Sequence, residues 1–324
     1  MRYGPLLAVV TLAAFAAASS AAAACVAVAW SRTAARLAEL PAITRARLIL
    51  AGRLAPAIVG ALGWGVTLAA FLRHEPGAMV ETPGWGLFVA AALALMLAGM
   101  TVALAIVRSW RTARFLRAAE RAATPVTLPG VGLPAWQVET AFPLVALAGV
   151  WRPRLLIARR VLEQLPDDEL QVVLQHELAH ARRRDNVARW LVTGLPDALG
   201  LAEPWLGLER AWHDAAEDAA DDLATRNDPP ARARLASALV RVARMAGRQP
   251  HQPIPLLAFH KGESIERRVR RLIDAPVARS PVPARLAVLA AIAVLSAAFG
   301  LWANADLVLV AVHRTTEWLV NARP

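Results

Sequence analysis

Residues 171–180, Gln-Val-Val-Leu-Gln-His-Glu-Leu-Ala-His, combine a helical spacing of apolar residues with side chains that bind metal. His176 and His180 are four residues apart, so on a helix both imidazoles share a face and can bind one zinc ion. Glu177 follows the first histidine and can reach a water on that zinc as a general base. The alternative is a pair of surface histidines on an amphipathic helix, which the apolar residues between them disfavour. The stretch therefore predicts a helix that supplies two ligands and a base to a zinc site.

A catalytic zinc ion needs a third protein ligand, and residues 212–222 offer the candidates. Glu217 and Asp221 lie one helical turn apart in this acidic segment. Glu217 can complete the site, and Asp221 can hydrogen-bond a ligand imidazole and fix its tautomer. His213, one turn before Glu217, is a rival third ligand, and a solvated acidic helix face is a further interpretation. The residues alone leave these alternatives open.

Apolar segments on both sides of these motifs predict an integral membrane protein. Hydrophobic residues make up 57% of the 324 residues, above the roughly 45–50% of an average soluble domain. Four segments are long enough to cross a bilayer, which takes roughly 20 residues, and they cover about 5–30, 54–72, 85–107 and 286–302. The first segment has a signal peptide as its alternative, but its apolar run is longer than such peptides usually have. We expect four membrane-spanning helices.

The distribution of arginine predicts the orientation of these spans. Residues 31–53 and 108–121 carry five arginines each, whereas residues 73–84 carry one. Short loops rich in arginine stay in the cytoplasm. The N-terminus and the C-terminal tail are therefore predicted to lie outside, and residues 108–283 inside. Because the net charge of +11 comes from arginines beside apolar spans, we expect the lipid bilayer as a partner and no direct contact with nucleic acid.

Soluble character is confined to residues 123–282, which we expect to form an α+β domain between the third and fourth spans. Residues 1–122 then form a three-span membrane domain with basic cytosolic loops, and residues 283–324 form the fourth span and a short external tail. The predicted strands cover 136–140, 144–148 and 154–158. The predicted helices begin at 165, run from 204 past 223, and cover 231–245.

The second of these strands is a candidate for binding an extended substrate. Leu144, Val145 and Ala146 follow Pro143 and are expected to lie on an exposed edge of the sheet. Edge strands bind extended peptides through main-chain hydrogen bonds. The alternative role of this strand is packing in the core.

Three motifs together resemble one group of bacterial membrane enzymes. The His-Glu-Leu-Ala-His run, the Arg-Arg-Asp at 183–185 and the Glu217-x-x-Ala-Asp221 pattern are similar to the BlaR/MecR-type metallopeptidases, the signal-transducing antirepressors of β-lactam sensing. The resemblance implies a cytosolic zincin-like domain of the gluzincin type, inserted in a four-span helical protein of the bacterial cytoplasmic membrane. It also implies one Zn²⁺ per chain, with Glu217 as the third ligand and with Asp221 and Asp185 supporting the ligands.

The resemblance implies hydrolysis of peptide bonds in cytosolic or membrane-proximal proteins, such as a transcriptional repressor, and cleavage within the chain itself is a further expectation. Two other functions stay open, a quality-control protease and a non-catalytic membrane scaffold that binds zinc. The family's sensors carry an extracellular penicillin-binding domain after the last span, and this chain ends at Pro324. Direct sensing of β-lactams is therefore not expected.

A peptidase of this kind also needs a group that stabilises the oxyanion of the reaction. The only tyrosine is Tyr3, far from the motifs in sequence. The candidates are His213, His260 and Arg268. Residues 260–272 are similar to a distal motif of the superfamily that lies near the cleft, and a basic helix close to lipid headgroups is the alternative.

Overall fold

The computed structural model describes residues 3–74, 85–140, 145–194, 203–246, 262–274 and 305–321. The helices within them are α1 (Tyr3–Ala38), α2 (Ala42–His74), α3 (Trp85–Ala122), α4 (Arg159–Gln164), α5 (Asp167–Arg183), α6 (Asp185–Gly194), α7 (Glu203–Thr225), α8 (Pro229–Ala246), α9 (Gly262–Ile273) and α10 (Ala305–Asn321). The strands are β1 (Thr124–Val126), β2 (Ala135–Val138), β3 (Val145–Ala148) and β4 (Arg154–Ala158).

Three of the described helices are long and apolar enough to cross a membrane, and they contain the first three predicted spans. They cover Gly4–Ala38, Ala42–His74 and Trp85–Phe115. α1 packs closely on α2, since a Cβ atom added to Gly63 would lie 2.8 Å from the Cβ of Ala18. The fourth predicted span, about 286–302, lies outside the described residues.

A small mixed sheet forms the centre of the α+β domain. Its strand order is β1-β2-β4-β3, with β2 parallel to β4 and both outer strands antiparallel to their neighbours. Leu155, Leu156 and Ile157 of β4 are almost fully buried, because α5 and α8 pack Val172 and Leu235 into the same core. β4 matches its predicted range, whereas β2 begins one residue before its predicted range and ends two residues before the end of that range. β1 was not predicted.

Residues 305–321, which follow the fourth predicted span, form the helix α10. α10 packs against the end of α2 and the start of α1, where Val320 joins Leu6 and Phe71 in an apolar cluster. At the opposite end of α2, Arg45 forms an ion pair with Asp218 of α7. At a helical rise of about 1.5 Å per residue, about 42 Å separates Arg45 from Arg73, which pairs with Asp306 of α10. The α+β domain and α10 therefore contact opposite ends of α2.

Candidate metal centre

α5 carries the two histidines because its sequence defines both ends of the helix. Pro166 precedes it, and three acidic residues at 167–169 occupy its first turn, where negative charge suits the helix dipole. Arg184 ends it in the left-handed conformation, with φ of 55°. The helix packs Val172 and Val173 into the domain core. His176 and His180 thereby face α7, the helix that carries the acidic segment.

The nitrogen and oxygen atoms of three side chains converge at this point. The Nε2 atoms of His176 and His180 are 3.1 Å apart, and each lies 3.5 Å from an oxygen of Glu217. Ligands bound tetrahedrally to zinc at about 2.0–2.1 Å are about 3.3 Å from one another. The three side chains therefore form a group that can hold a metal ion.

Carboxylates behind the two histidines orient their rings. Asp185 Oδ2 lies 2.7 Å from His180 Nδ1. Asp221 Oδ1 lies 2.9 Å from His176 Nδ1, although off the line of the N–H bond. A carboxylate at Nδ1 keeps the proton on that nitrogen and leaves the Nε2 lone pair for a metal. Asp185 thus favours the tautomer of His180 that a metal ligand requires, and Asp221 lies close enough to His176 to favour the same tautomer there.

Arg268 of α9 ties the acidic residues of α7 together. Its guanidinium donates to both oxygens of Asp221, at 3.0 and 2.6 Å, and forms an ion pair with Glu217 at 3.0 Å. The side chain is 3% exposed. A planar guanidinium suits this paired recognition of carboxylates. Arg268 therefore fixes where Glu217 and Asp221 stand relative to each other.

Charges around the converging atoms favour a cation between them. Burial opposes a charged imidazole, yet Glu217 and Asp185 raise the pKa of His180 to about 10. Burial also opposes ionisation of Asp221, but Arg268 and His176 hold its pKa at about 2. The pKa of Glu217 is likewise lowered well below its usual value, against burial, by His180 and Arg268. These ionised carboxylates facing two imidazoles suit a divalent cation.

Glu177 points out of α5 toward β3. Its Oε2 accepts a hydrogen bond of 3.0 Å from the backbone N–H of Leu147. Burial raises the pKa of Glu177 and Glu217 adds to the rise, while the two histidines and this hydrogen bond oppose it. A raised pKa brings a carboxylate closer to the range of a general base at neutral pH.

Residues 77–272, more than half of the chain, match the family described as BlaR1 peptidase M56. The chain belongs to this family. Membership implies a membrane-associated metallopeptidase, in keeping with the three apolar helices and the group of potential metal ligands. No curated protein and no solved structure matches the chain.

In this M56 peptidase, the group that can hold a metal contains Glu217 and not the rival His213, among the residues that the structure describes. Arg268 lies at the site, where its Nη2 atom is 3.5 Å from His176 Nε2. Its shorter contacts are with the carboxylates of Asp221 and Glu217, which favours a positioning role over stabilisation of an oxyanion. His260, the other oxyanion candidate, lies outside the described residues, as does Leu144. Val145 and Ala146 lie in β3, at an edge of the described sheet, and the side chain of Ala146 packs in the domain core, as the alternative role of this strand predicts.

The sequence did not point to Asn186, which holds β3 in place. Its side-chain amide donates to the carbonyl oxygens of Leu147 at 3.0 Å and Gly149 at 2.9 Å. Leu147 is therefore held by Glu177 at its N–H and by Asn186 at its carbonyl. Asn186 directly follows Asp185, and this adjacency to a predicted site residue was the one available signal.

Proposed function

We propose that this chain is a zinc-dependent endopeptidase of the bacterial cytoplasmic membrane, with one zinc ion held by His176, His180 and Glu217. The observation that supports it best is the spacing of the three ligand atoms, 3.1–3.5 Å, beside a carboxylate that is not needed as a ligand. A scaffold that binds zinc for structure alone has no use for the intact Glu177. Catalysis is therefore the stronger of these two interpretations.

Glu177 is the proton carrier in this proposal. A zinc ion bound here would polarise the substrate carbonyl and lower the pKa of a water to about 7. Glu177 takes the proton of the attacking water and passes it to the leaving amine. Asp185 and Asp221 keep the imidazoles oriented, and Arg268 fixes the positions of the Glu217 and Asp221 carboxylates relative to each other.

β3 is the element that positions the substrate in this proposal. An extended peptide that adds to the edge of β3 forms main-chain hydrogen bonds there. Such a peptide competes with Glu177 for the N–H of Leu147. Displacement from that N–H leaves the carboxylate free to accept a proton. Substrate binding and release of the base are thereby linked.

The proposed substrates are flexible cytosolic segments or cytosolic stretches of membrane proteins. If the protein acts in a signalling pathway, the substrate is a transcriptional repressor. The arginine-rich segment 31–53 and the α+β domain lie together at one end of α2, which supports a cytoplasmic active site. Four spans are supported because the described segments on either side of 275–304 lie at opposite ends of α2. Arg267 of α9 pairs with Asp218, which pairs with Arg45 near the start of α2, whereas Asp306 of α10 pairs with Arg73 near its end. Quality control of membrane proteins is the alternative role.

The test is a comparison of new protein N-termini in cells that produce the wild type or Glu177→Gln. We expect a loss of at least about 10²-fold in the cleavage rate, because a general base contributes about 10²–10⁴-fold. Glutamine is isosteric and not a ligand, so the purified variant should keep its zinc. Glu163→Gln, an exposed change on α4, is the matched control and should behave as wild type.

The outcomes separate the alternatives. Cleavage products that persist in Glu177→Gln cells at the wild-type level would show that Glu177 is not the base. A single lost cleavage in a repressor would support the signalling role, whereas many lost cleavages in misfolded membrane proteins would support quality control. If the protein binds zinc but no cleavage in cells depends on Glu177, the non-catalytic scaffold is the interpretation that remains.

A further inference from the structure

Tryptophans from the membrane helices and the α+β domain meet where α3 leaves its apolar stretch. The first arginine after that stretch is Arg108, and Ser109 and Trp110 come next. Trp190 of α6 donates from its indole N–H to Ser109 Oγ at 3.2 Å. α3 is long and apolar enough to span the bilayer. Its change from apolar residues to arginine therefore marks the height of the membrane surface, and Trp190 lies at that height.

The turn between β3 and β4 reaches the same place. Trp151 at its tip is 73% exposed, and its ring lies edge-on to Trp190 with the centroids 6.0 Å apart. Gly149 closes the turn with φ of +94°, and a Cβ there would lie 2.7 Å from the carbonyl oxygen of Arg152. Asn186 holds the carbonyl of Gly149. The position of Trp151 is thus fixed by a tight turn that is attached to α6.

An exposed tryptophan beside arginines at the end of a span fits one partner, the headgroup region of a lipid bilayer. Tryptophan is enriched there because its ring is apolar and its N–H is polar. Arg152 follows Trp151, and Arg114 lies over the ring of Trp110 at 5.4 Å. Such cations attract anionic lipid headgroups. The contact with Trp190 makes this surface continuous with α3, so lipid that surrounds α3 also reaches Trp151.

We propose that the β3–β4 turn is a lipid-binding element of the α+β domain, with Trp151 inserted in the headgroup region of the leaflet at which α3 ends. The turn begins one residue after β3, so insertion holds the edge strand at the membrane surface. The site then receives extended segments that run along or emerge from that surface. The insertion itself does not depend on the proposed hydrolysis and can be measured without it.

The depth of the turn can be measured with a spin label on one introduced cysteine, because Cys25 is the single cysteine of the chain and can be replaced. In a Cys25→Ser background, Arg152→Cys is labelled with a nitroxide and the protein is placed in nanodiscs of phosphatidylcholine and phosphatidylglycerol. The collision rates of the label with oxygen, which concentrates in lipid, and with a water-soluble nickel chelate give its depth. Glu163→Cys is the matched control, because Glu163 is exposed and follows the opposite end of β4.

We expect the ratio of oxygen to nickel collisions at position 152 to exceed that at position 163 several-fold. Adding Trp151→Ala should reduce the ratio at 152 to the control value and leave position 163 unchanged. Equal ratios at 152 and 163 would overturn the proposal, and so would a ratio at 152 that does not change when Trp151→Ala is added. Low collision rates with both reagents at 152 would overturn it as well, because a protein partner would then cover the turn. Repeating the measurement in Glu177→Gln separates this result from the fate of the proposed peptidase activity.

Discussion

Asp185 and Asp221 approach the two histidines from two different helices. Each places a carboxylate oxygen within 3 Å of the Nδ1 atom of one histidine. The two differ in their other partners, since Asp221 also binds Arg268, whereas Asp185 lies 3.4 Å from Arg183. A change at Asp185 therefore disturbs the metal centre more selectively than a change at Asp221.

We expect Asp185→Asn to weaken zinc binding by about 10–100-fold, the usual effect of losing a carboxylate behind a histidine ligand. The amide no longer fixes the tautomer of His180, while the size of the side chain is kept. Competition between the purified protein and a zinc chelator measures the affinity. Asp222→Asn is the control, because Asp222 is partly exposed on α7 and pairs with Arg271. Equal affinities of Asp185→Asn and the wild type would contradict the role of Asp185.

Asn186→Ala tests whether the contacts of this side chain keep the edge strand β3 in position. The change removes two hydrogen bonds to backbone carbonyls of β3 and the turn that follows it. A lost hydrogen bond costs about 0.5–1.5 kcal/mol, here in the energy that holds β3 in position, and the upper part of that range is about a factor of ten in rate. We therefore expect kcat/KM to fall by about tenfold on a peptide that carries a cleavage site found in cells. The zinc content should stay unchanged.

The control for this change is Gln171→Ala, which removes an exposed amide from α5. It should leave kcat/KM as in the wild type. A loss of zinc in Asn186→Ala would indicate general damage to the site, and unchanged kcat/KM would show that β3 does not depend on Asn186.

The elements that follow a local pattern were predictable from the sequence, and those that depend on distant contacts were not. The helix α5 and its histidines follow from residues four apart, and Glu217 and Asp221 share a similar spacing. β1 was missed because it has three residues with Pro125 in the middle, and proline disfavours strands.

Contacts between residues distant in sequence leave no periodic signal. Leu147 and Asn186 are 39 positions apart, and Arg45 and Asp218 are 173 apart. For the residues after the fourth predicted span the sequence indicated only a short external tail, because charged and polar residues, among them His313, Arg314 and Glu317, interrupt the apolar residues of α10. Its apolar residues find their partners on α1 and α2, which only the structure shows.

The whole molecule places α10 and the α+β domain at opposite ends of α2, which predicts the outcome of a topology experiment. Reporter fusions after Arg121 and Gly247 should give a cytoplasmic signal, and a fusion after Pro324 should give an external one. The arginine-rich ends of the spans are the physical reason. An external signal at Gly247 would contradict both the topology and the cytosolic substrates.

The ion pair between Arg45 and Asp218 attaches one end of α2 to α7, far from the contact of its other end with α10. Arg45 lies about 42 Å along the helix from the contact with α10, so a tilt of about 2° about that outer end displaces Arg45 by about 1.5 Å. Asp218 is the neighbour of Glu217, whose oxygens lie 3.5 Å from the two imidazoles. One ion pair therefore joins a helix that can span the membrane directly to the residue beside the third potential metal ligand.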